Sequence, residues 1–273
     1  MTEIIIKPAK GWVRIDFNEL WRYRELFYIF TWRDIKVRYK QTVIGIAWAI
    51  LQPFMLMVVF SVFFGSFARI PSDNIPYPIF VFSGLIFWNY FSTALSGASN
   101  SLIENENIIK KIYFPRIILP LSTTITPIVD FIIAFVILSL MLIYYHLSIH
   151  PYIILLLPLL LLITLLTASG IGTFLSAIII KYRDIRYALP FFIQILLFVT
   201  PVIYPVSMVS SKYHWLLLLN PMTGIIETAR ASMLGTKPID PPLLLISMAF
   251  AGLFFLFGIY YFRKTERVFA DVA

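Results

Sequence analysis

Apolar residues in this chain are gathered into runs of 16 to 30 residues, and that one feature closes off most folds. A helix rising 1.5 Å per residue needs about 20 such residues to cross a hydrocarbon layer of about 30 Å. Inside lipid only a helix or a closed barrel satisfies its own backbone, and the run lengths are those of helices. Charged residues make up 13% of the chain, against about a quarter in a soluble domain. Six spans are read, at 42–67, 79–102, 117–143, 151–180, 188–203 and 243–262. The fourth exceeds the bilayer and should tilt or bend, with Pro158 the natural place. The fifth is short and ends in TPVIYP, where Pro201 and Pro205 oppose a straight continuation. The expected fold is an all-α integral membrane protein in three parts: a basic N-terminal segment 1–41, a six-span domain 42–262 and a tail 263–273.

Orientation follows from where the cations lie, since cytoplasmic loops collect Lys and Arg. Eighteen of the 22 basic residues fall in the N-terminal segment, the second–third and fourth–fifth connections and the C-terminus. Arg69, Lys212, Arg230 and Lys237 are left for the other side. Both termini are therefore expected in the cytoplasm. No short apolar core with a small-residue cleavage site stands in the first forty residues, so the first span is expected to do the targeting. The absence of cysteine excludes disulfides and thiolate metal sites. A net charge of +8 could suit nucleic acid, but its distribution points instead to topology and to anionic lipid headgroups.

Two regions are not expected to span. Residues 17–31 mix bulky apolar groups with Arg22, Arg24 and Glu25, and Asp16 followed by Glu19 resembles a capping box. This reads as an amphipathic helix along the cytoplasmic interface, either a membrane anchor or a docking surface. Residues 206–240, on the outer side, contain HWLLLLNPMTGIIETARASMLG, which suits short helices re-entering the outer leaflet.

Much chemistry is missing. No phosphate-binding G-x-x-x-x-G-K-[ST] loop, zinc-protease motif or nucleophile elbow occurs, so no cofactor, metal or catalytic residue is expected in this chain. His146 and His150 have a metal-compatible spacing but no carboxylate beside them, and read as interfacial residues. Asp130 lies about 20 Å along its helix, near mid-bilayer. An acid there is a functional candidate, although with no base at comparable depth it reads rather as protonated or hydrogen-bonded to a neighbouring helix. Glu227 and Arg230, three apart, share a helix face and can pair, letting a re-entrant helix sit in the outer leaflet.

Aromatic residues reach 17%, more than interfacial belts require. Phe87, Trp88, Tyr90 and Phe91 crowd about one turn and are candidates for a substrate path, since sugar rings stack their C–H faces on aromatics; lipid-facing bulk is the plain alternative. Small residues follow, Ser92 to Ser99, and permit close helix approach. After them comes a charged island, SLIENENIIKKIYFPR at 101–116. Apolar Ile103, Ile108 and Tyr113 alternate with Glu104, Lys110 and Lys111 in a helical rhythm, which suits a groove on a soluble partner.

Taken in order, WRDIKVRYKQTVIGIAWAILQP, WNYF, NIIKKIYFPR, YRDIR, TPVIYP and LNPMTGIIETAR resemble the transmembrane subunit of ABC-2-type polysaccharide exporters, the O-antigen and teichoic-acid class, over about residues 17–267. The resemblance implies a homodimer forming a pore, with two separate ABC ATPase subunits binding ATP and Mg. It implies a coupling helix at 101–113, with Ile103, Glu104, Asn107, Ile108, Lys110, Lys111 and Tyr113 toward the ATPase, and a second contact at YRDIR. The cargo would be a polyprenyl-diphosphate-linked glycan crossing the bacterial cytoplasmic (inner) membrane. Arg33, Arg38 and Lys40 stand where a lipid diphosphate could be met. Three rivals are a drug or small-lipid ABC-2 pump, an integral polyprenyl-phosphate glycosyltransferase and a structural scaffold. The glycosyltransferase would want metal-binding acids at a membrane face, where this chain offers mostly bases.

Overall fold

Backbone hydrogen bonding is met by helices throughout: in the computed structural model, which describes residues 17–40, 47–147, 152–235 and 237–266, no strand occurs among the described residues. Five helical stretches have the length and apolar content of a membrane span: Ala47–Phe67, Tyr77–Glu104, Ile118–Tyr144, Tyr152–Lys181 and Pro241–Thr265. The expected fifth span is a shorter helix, Ile185–Val199, about 22 Å long at 1.5 Å per residue.

The N-terminal region forms α1, Phe17–Arg22, and α2, Arg24–Lys40. Asp16, proposed as a cap, lies outside the described residues, as do Lys7, Lys10, Arg14, His150 and Arg267. No Pro or Gly interrupts 17–40, so α2 runs well past residue 31. Its inner face seats Phe30 beside Phe114, ring centroids 5.7 Å apart. Its other face exposes Tyr28, Ile29 and Trp32, and α1 exposes Trp21 beside them in sequence, a surface fit for the lipid interface.

The first span is α3, Ala47–Phe60, running into a π-helical segment, Ser61–Phe67. The central helix is α4, Tyr77–Glu104, started by Pro78 in its first turn, where proline's missing N–H costs nothing. A single turn, α5, Glu106–Ile109, follows. The third span is split into α6, Ile118–Ile125, and α7, Ile128–Tyr144; Pro127 has no N–H for the ladder, and the break falls beside it. The long helix α8, Tyr152–Lys181, contains Pro158. Then come α9, Ile185–Val199, α10, His214–Leu218, and α11, Pro221–Leu234. The Asn220 side chain caps α11 by accepting from the Met222 amide at 3.0 Å, and Gly235, at φ 61°, ends it as only glycine does readily. The last helix is α12, Pro241–Thr265.

Small residues weld the centre. A Cβ on Gly258 would strike the Gly170 carbonyl, and one on Gly172 would strike Ala98, so α8 lies backbone-close to both α12 and α4. Between membrane helices such close approach supplies the packing that hydrophobicity cannot.

Candidate transport path and partner-facing surface

Because α4 is central, its free surface is informative. From Ile79 to Trp88 every residue is buried. Beyond that, the only partly exposed positions up to Leu102 are Asn89, Ser92, Thr93, Ser96, Gly97 and Asn100. They recur at helical spacing and form one polar face. Ser92, Thr93, Ser96 and Gly97 of this face are the floor of a cavity of about 780 Å³, walled by Arg33, Val37 and Arg38 of α2, Thr123 of α6 and Pro190 and Ile193 of α9. A smaller cavity of about 220 Å³ continues from it, reaching Gln52, Asn89, Tyr90 and Asp130, with Arg38, Thr93 and Pro127 common to both.

The aromatic candidates lie elsewhere. Phe87, Trp88 and Phe91 are buried in the core, with Phe87 edge-on to Phe131 at 5.0 Å. Tyr90 alone lines a cavity, and its hydroxyl donates to the Thr124 carbonyl at 3.2 Å. Helical period explains the outcome: the bulky residues and the polar ones occupy different faces of α4.

Asp130 has a base after all. Arg38 of α2 pairs with it at 2.5 Å, and the Tyr39 hydroxyl donates to its other oxygen. The expectation that no cation reaches this depth fails because α2 does not stop at the interface. It packs along α6 and carries Arg38 up to the first turn of α7. Arg33, further back, donates to Asn105 Oδ1 at 2.9 Å and pairs with Asp34 at 2.8 Å. Asn105, which the sequence reading did not single out, is buried at the end of α4 and ties that end to α2. Lys40 is exposed.

The island is less helical than expected. Its first residues, 101–104, are the end of α4, and beyond Asn105 only the single turn α5 follows, closed by the Lys110–Glu106 pair at 2.6 Å. Ile109 and Phe114 turn inward, whereas Glu104, Asn107, Lys110, Lys111, Ile112 and Tyr113 are exposed and Ile103 and Ile108 partly so. The Lys110 hydrogen bond, then its charge and that of Arg183, hold the Glu106 carboxyl below its ordinary pKa. Arg183 belongs to YRDIR, so the two connections present one surface. The nearby charge of Glu19 pushes the Tyr113 phenol up.

On α11, Arg230 pairs with Glu227 at 3.1 Å, as expected, and also donates to the carbonyls of Pro201 at 2.7 Å and Val202 at 2.6 Å. Its guanidinium lies over the Phe80 ring, 3.7 Å from the centroid. No group of three or more potential metal ligands occurs among the described residues; His146 stands at the end of α7 with φ 54°.

Against known proteins, residues 25–234 match the sequence profile described as "ABC-2 type transporter". An O-antigen export system permease protein of Myxococcus xanthus is 29% identical over 217 residues, covering 78% of this chain and 82% of that one. A second protein so named, from Klebsiella pneumoniae, is 26% identical over 250 residues, covering 91% and 95%. A polysialic acid transport protein of Escherichia coli is 26% identical over 208 residues, covering 74% and 78%.

Proposed function

The chain belongs to the ABC-2 type transporter family, and from that premise we propose that it is the permease half of an exporter moving a polyprenyl-diphosphate-linked polysaccharide of the O-antigen kind outward across the bacterial cytoplasmic membrane. It is a multi-pass membrane transport component, not an enzyme. Members of the family work with ABC ATPases, and here two such subunits, binding ATP and Mg, would sit beneath a homodimer of this chain with both termini inside. The carrying observation is coverage: the likeness to an O-antigen export permease extends over 91% of this chain and 95% of that one.

Two features of the geometry support the reading. The exposed residues of the island and the YRDIR connection form one charged and apolar surface, suited to a soluble partner that pushes on both. ATP-driven closure beneath it would tilt α4 and α8, which are stiff and welded to each other, as levers. For the diphosphate, α2 supplies Arg33, Arg38 and Lys40. The first two already hold carboxylates, so the exposed Lys40 is the readier first contact.

Deletion of the gene should leave the completed glycan on its lipid carrier inside the cell and strip it from the surface. Normal surface polymer in the deletion strain would end this reading.

A further inference from the structure

We infer that the polar face of α4 is the wet wall of the inner half of the conduit, and that it receives a hydroxyl-rich chain by hydrogen bonding and not by aromatic stacking. This rests on the export reading for the identity of the cargo. That the groove holds water is argued separately, from the structure.

The argument begins with depth. Asn89 stands about 22 Å along the helix axis from Glu104 at the inner end of α4, well into the hydrocarbon layer. A face made wholly of Asn, Ser, Thr and Gly at that depth cannot be turned to lipid without leaving polar groups unsolvated. Nor is it consumed by packing, because these are the positions of the inner half of α4 that remain partly open. The hydrogen-bond inventory points the same way. Thr126, on the opposite wall, is 6% exposed, and its hydroxyl oxygen has no partner. Asn89 Nδ2, at the smaller cavity, is likewise unpartnered. Buried polar groups are rarely left so unless a water or a ligand meets them. Donors and acceptors are mixed along the groove, which suits sugar hydroxyls, since each both donates and accepts.

Charge favours a neutral chain over an anion here. Arg33 and Arg38 line the groove, but so do Asp34 and Glu104, and Asp130 holds Arg38 at its far end. The carboxylates leave no surplus of positive charge for a phosphate. The path also has a definite end. Above Asn89 the helix is buried on all sides from Trp88 back to Ile79, with Phe87 and Trp88 in the core, so the groove is open inward and shut outward. The aromatics act as its stopper in this arrangement, and the polar face as its wall.

The chain contains no cysteine, so single-cysteine variants report without background. Thr93→Cys and Ser96→Cys test the face, Ala98→Cys tests the buried side of the same helix, and Val136→Cys tests a position 53% exposed on α7. In inside-out vesicles holding the whole transporter, a trimethylammonium methanethiosulfonate reagent should modify Thr93→Cys and Ser96→Cys at least about tenfold faster than the other two, because only a hydrated thiol forms thiolate readily. Vesicles from cells that make the polymer should show slower modification than those from a strain lacking its first sugar transferase. Rates at the face no higher than at Val136→Cys overturn the wet wall, whatever the deletion strain shows. Fast modification indifferent to the polymer overturns the glycan as its guest, and a deletion strain with normal surface polymer breaks the export reading instead.

Discussion

Two ion pairs lie between packed helices in this molecule, and they are built differently. Arg230 is almost wholly enclosed, its side chain 5% exposed, with one carboxylate, two backbone carbonyls and an aromatic face around it. Arg38 is 39% exposed, and its site opens on the polar groove. Taking a charge from water into a dry interior costs several kcal/mol unless its hydrogen bonds are replaced. Arg230 has those of its two terminal nitrogens replaced by Glu227 and the kinked backbone after α9, its Nε staying unpartnered, so it pins α11 to that kink. Gly84 shows how tight the fit is: a Cβ there would come within 2.8 Å of the Arg230 guanidinium. Arg38 has water as an alternative partner and is free to exchange. A pair's burial therefore separates a fixed joint from a movable one, even where the chemistry is the same.

The largest expected effect comes from breaking the fixed joint. Arg230→Leu leaves Glu227 unpaired and two carbonyls without donors, a loss of about 3–5 kcal/mol for a buried pair deprived of one partner. It should appear as a steep fall in the thermal midpoint of the detergent-purified protein, or as failure to accumulate. Glu227→Gln should cost less, about 1–3 kcal/mol, because Arg230 keeps its carbonyl partners. A midpoint for Arg230→Leu equal to that of the parent would erase the distinction between the two pairs.

Asp130→Asn addresses the movable joint. The amide still accepts from Tyr39, and the freed Arg38 turns to the water of the groove. With that solvent screening, the change in stability should stay within about 1 kcal/mol, and folded yield should match the parent. Export should fall several-fold, read as surface polymer per transporter, because α2 keeps only the Tyr39 bond to α7 and loses the ion pair beside the groove. If Asp130→Asn unfolds the protein as Arg230→Leu does, the Arg38–Asp130 pair is a structural joint as well.

How much of this could be read from the residues alone depended on range. Span lengths and Lys/Arg asymmetry are properties of single segments, and the helices of the structure agree with the former. The pairing of Glu227 with Arg230 is also local, three residues apart on one helix, and was foreseen. Asp130 was not, because its partner lies 92 positions earlier, on a helix expected to stop near residue 31. The signal available was the absence of any helix breaker as far as Lys40. On α4 the residues were noticed but sorted by bulk, whereas taking Asn89, Thr93, Ser96 and Asn100 at steps of three and four isolates the open face. The island differs from the single helix expected over 101–113: residues 101–104 end α4, Asn105 interrupts, α5 adds one turn, and Ile109 and Phe114 are drawn into the core. The π-helical end of the first span has no sequence signal that we can identify.

The smallest effect belongs to a third pair, Lys110–Glu106, set at the protein surface with side chains 50% and 35% exposed. The Glu106 pKa is lower in the folded protein than its ordinary value, chiefly through the hydrogen bond from Lys110. A depressed carboxyl favours folding while it is ionised, so its contribution is complete at neutral pH. That contribution fades only as pH falls below the ordinary carboxylate range and through the lowered folded value. Glu106→Gln should therefore shift the thermal midpoint at neutral pH least of the three, and the remaining gap from the parent should close in acid. Thermal scans of both proteins at neutral and acid pH give the comparison directly, since every other carboxylate titrates alike in the two. The order Arg230→Leu, Asp130→Asn, Glu106→Gln then follows the exposure of the basic partner, and a surface variant more damaging to stability than Asp130→Asn would show that exposure does not rank these pairs.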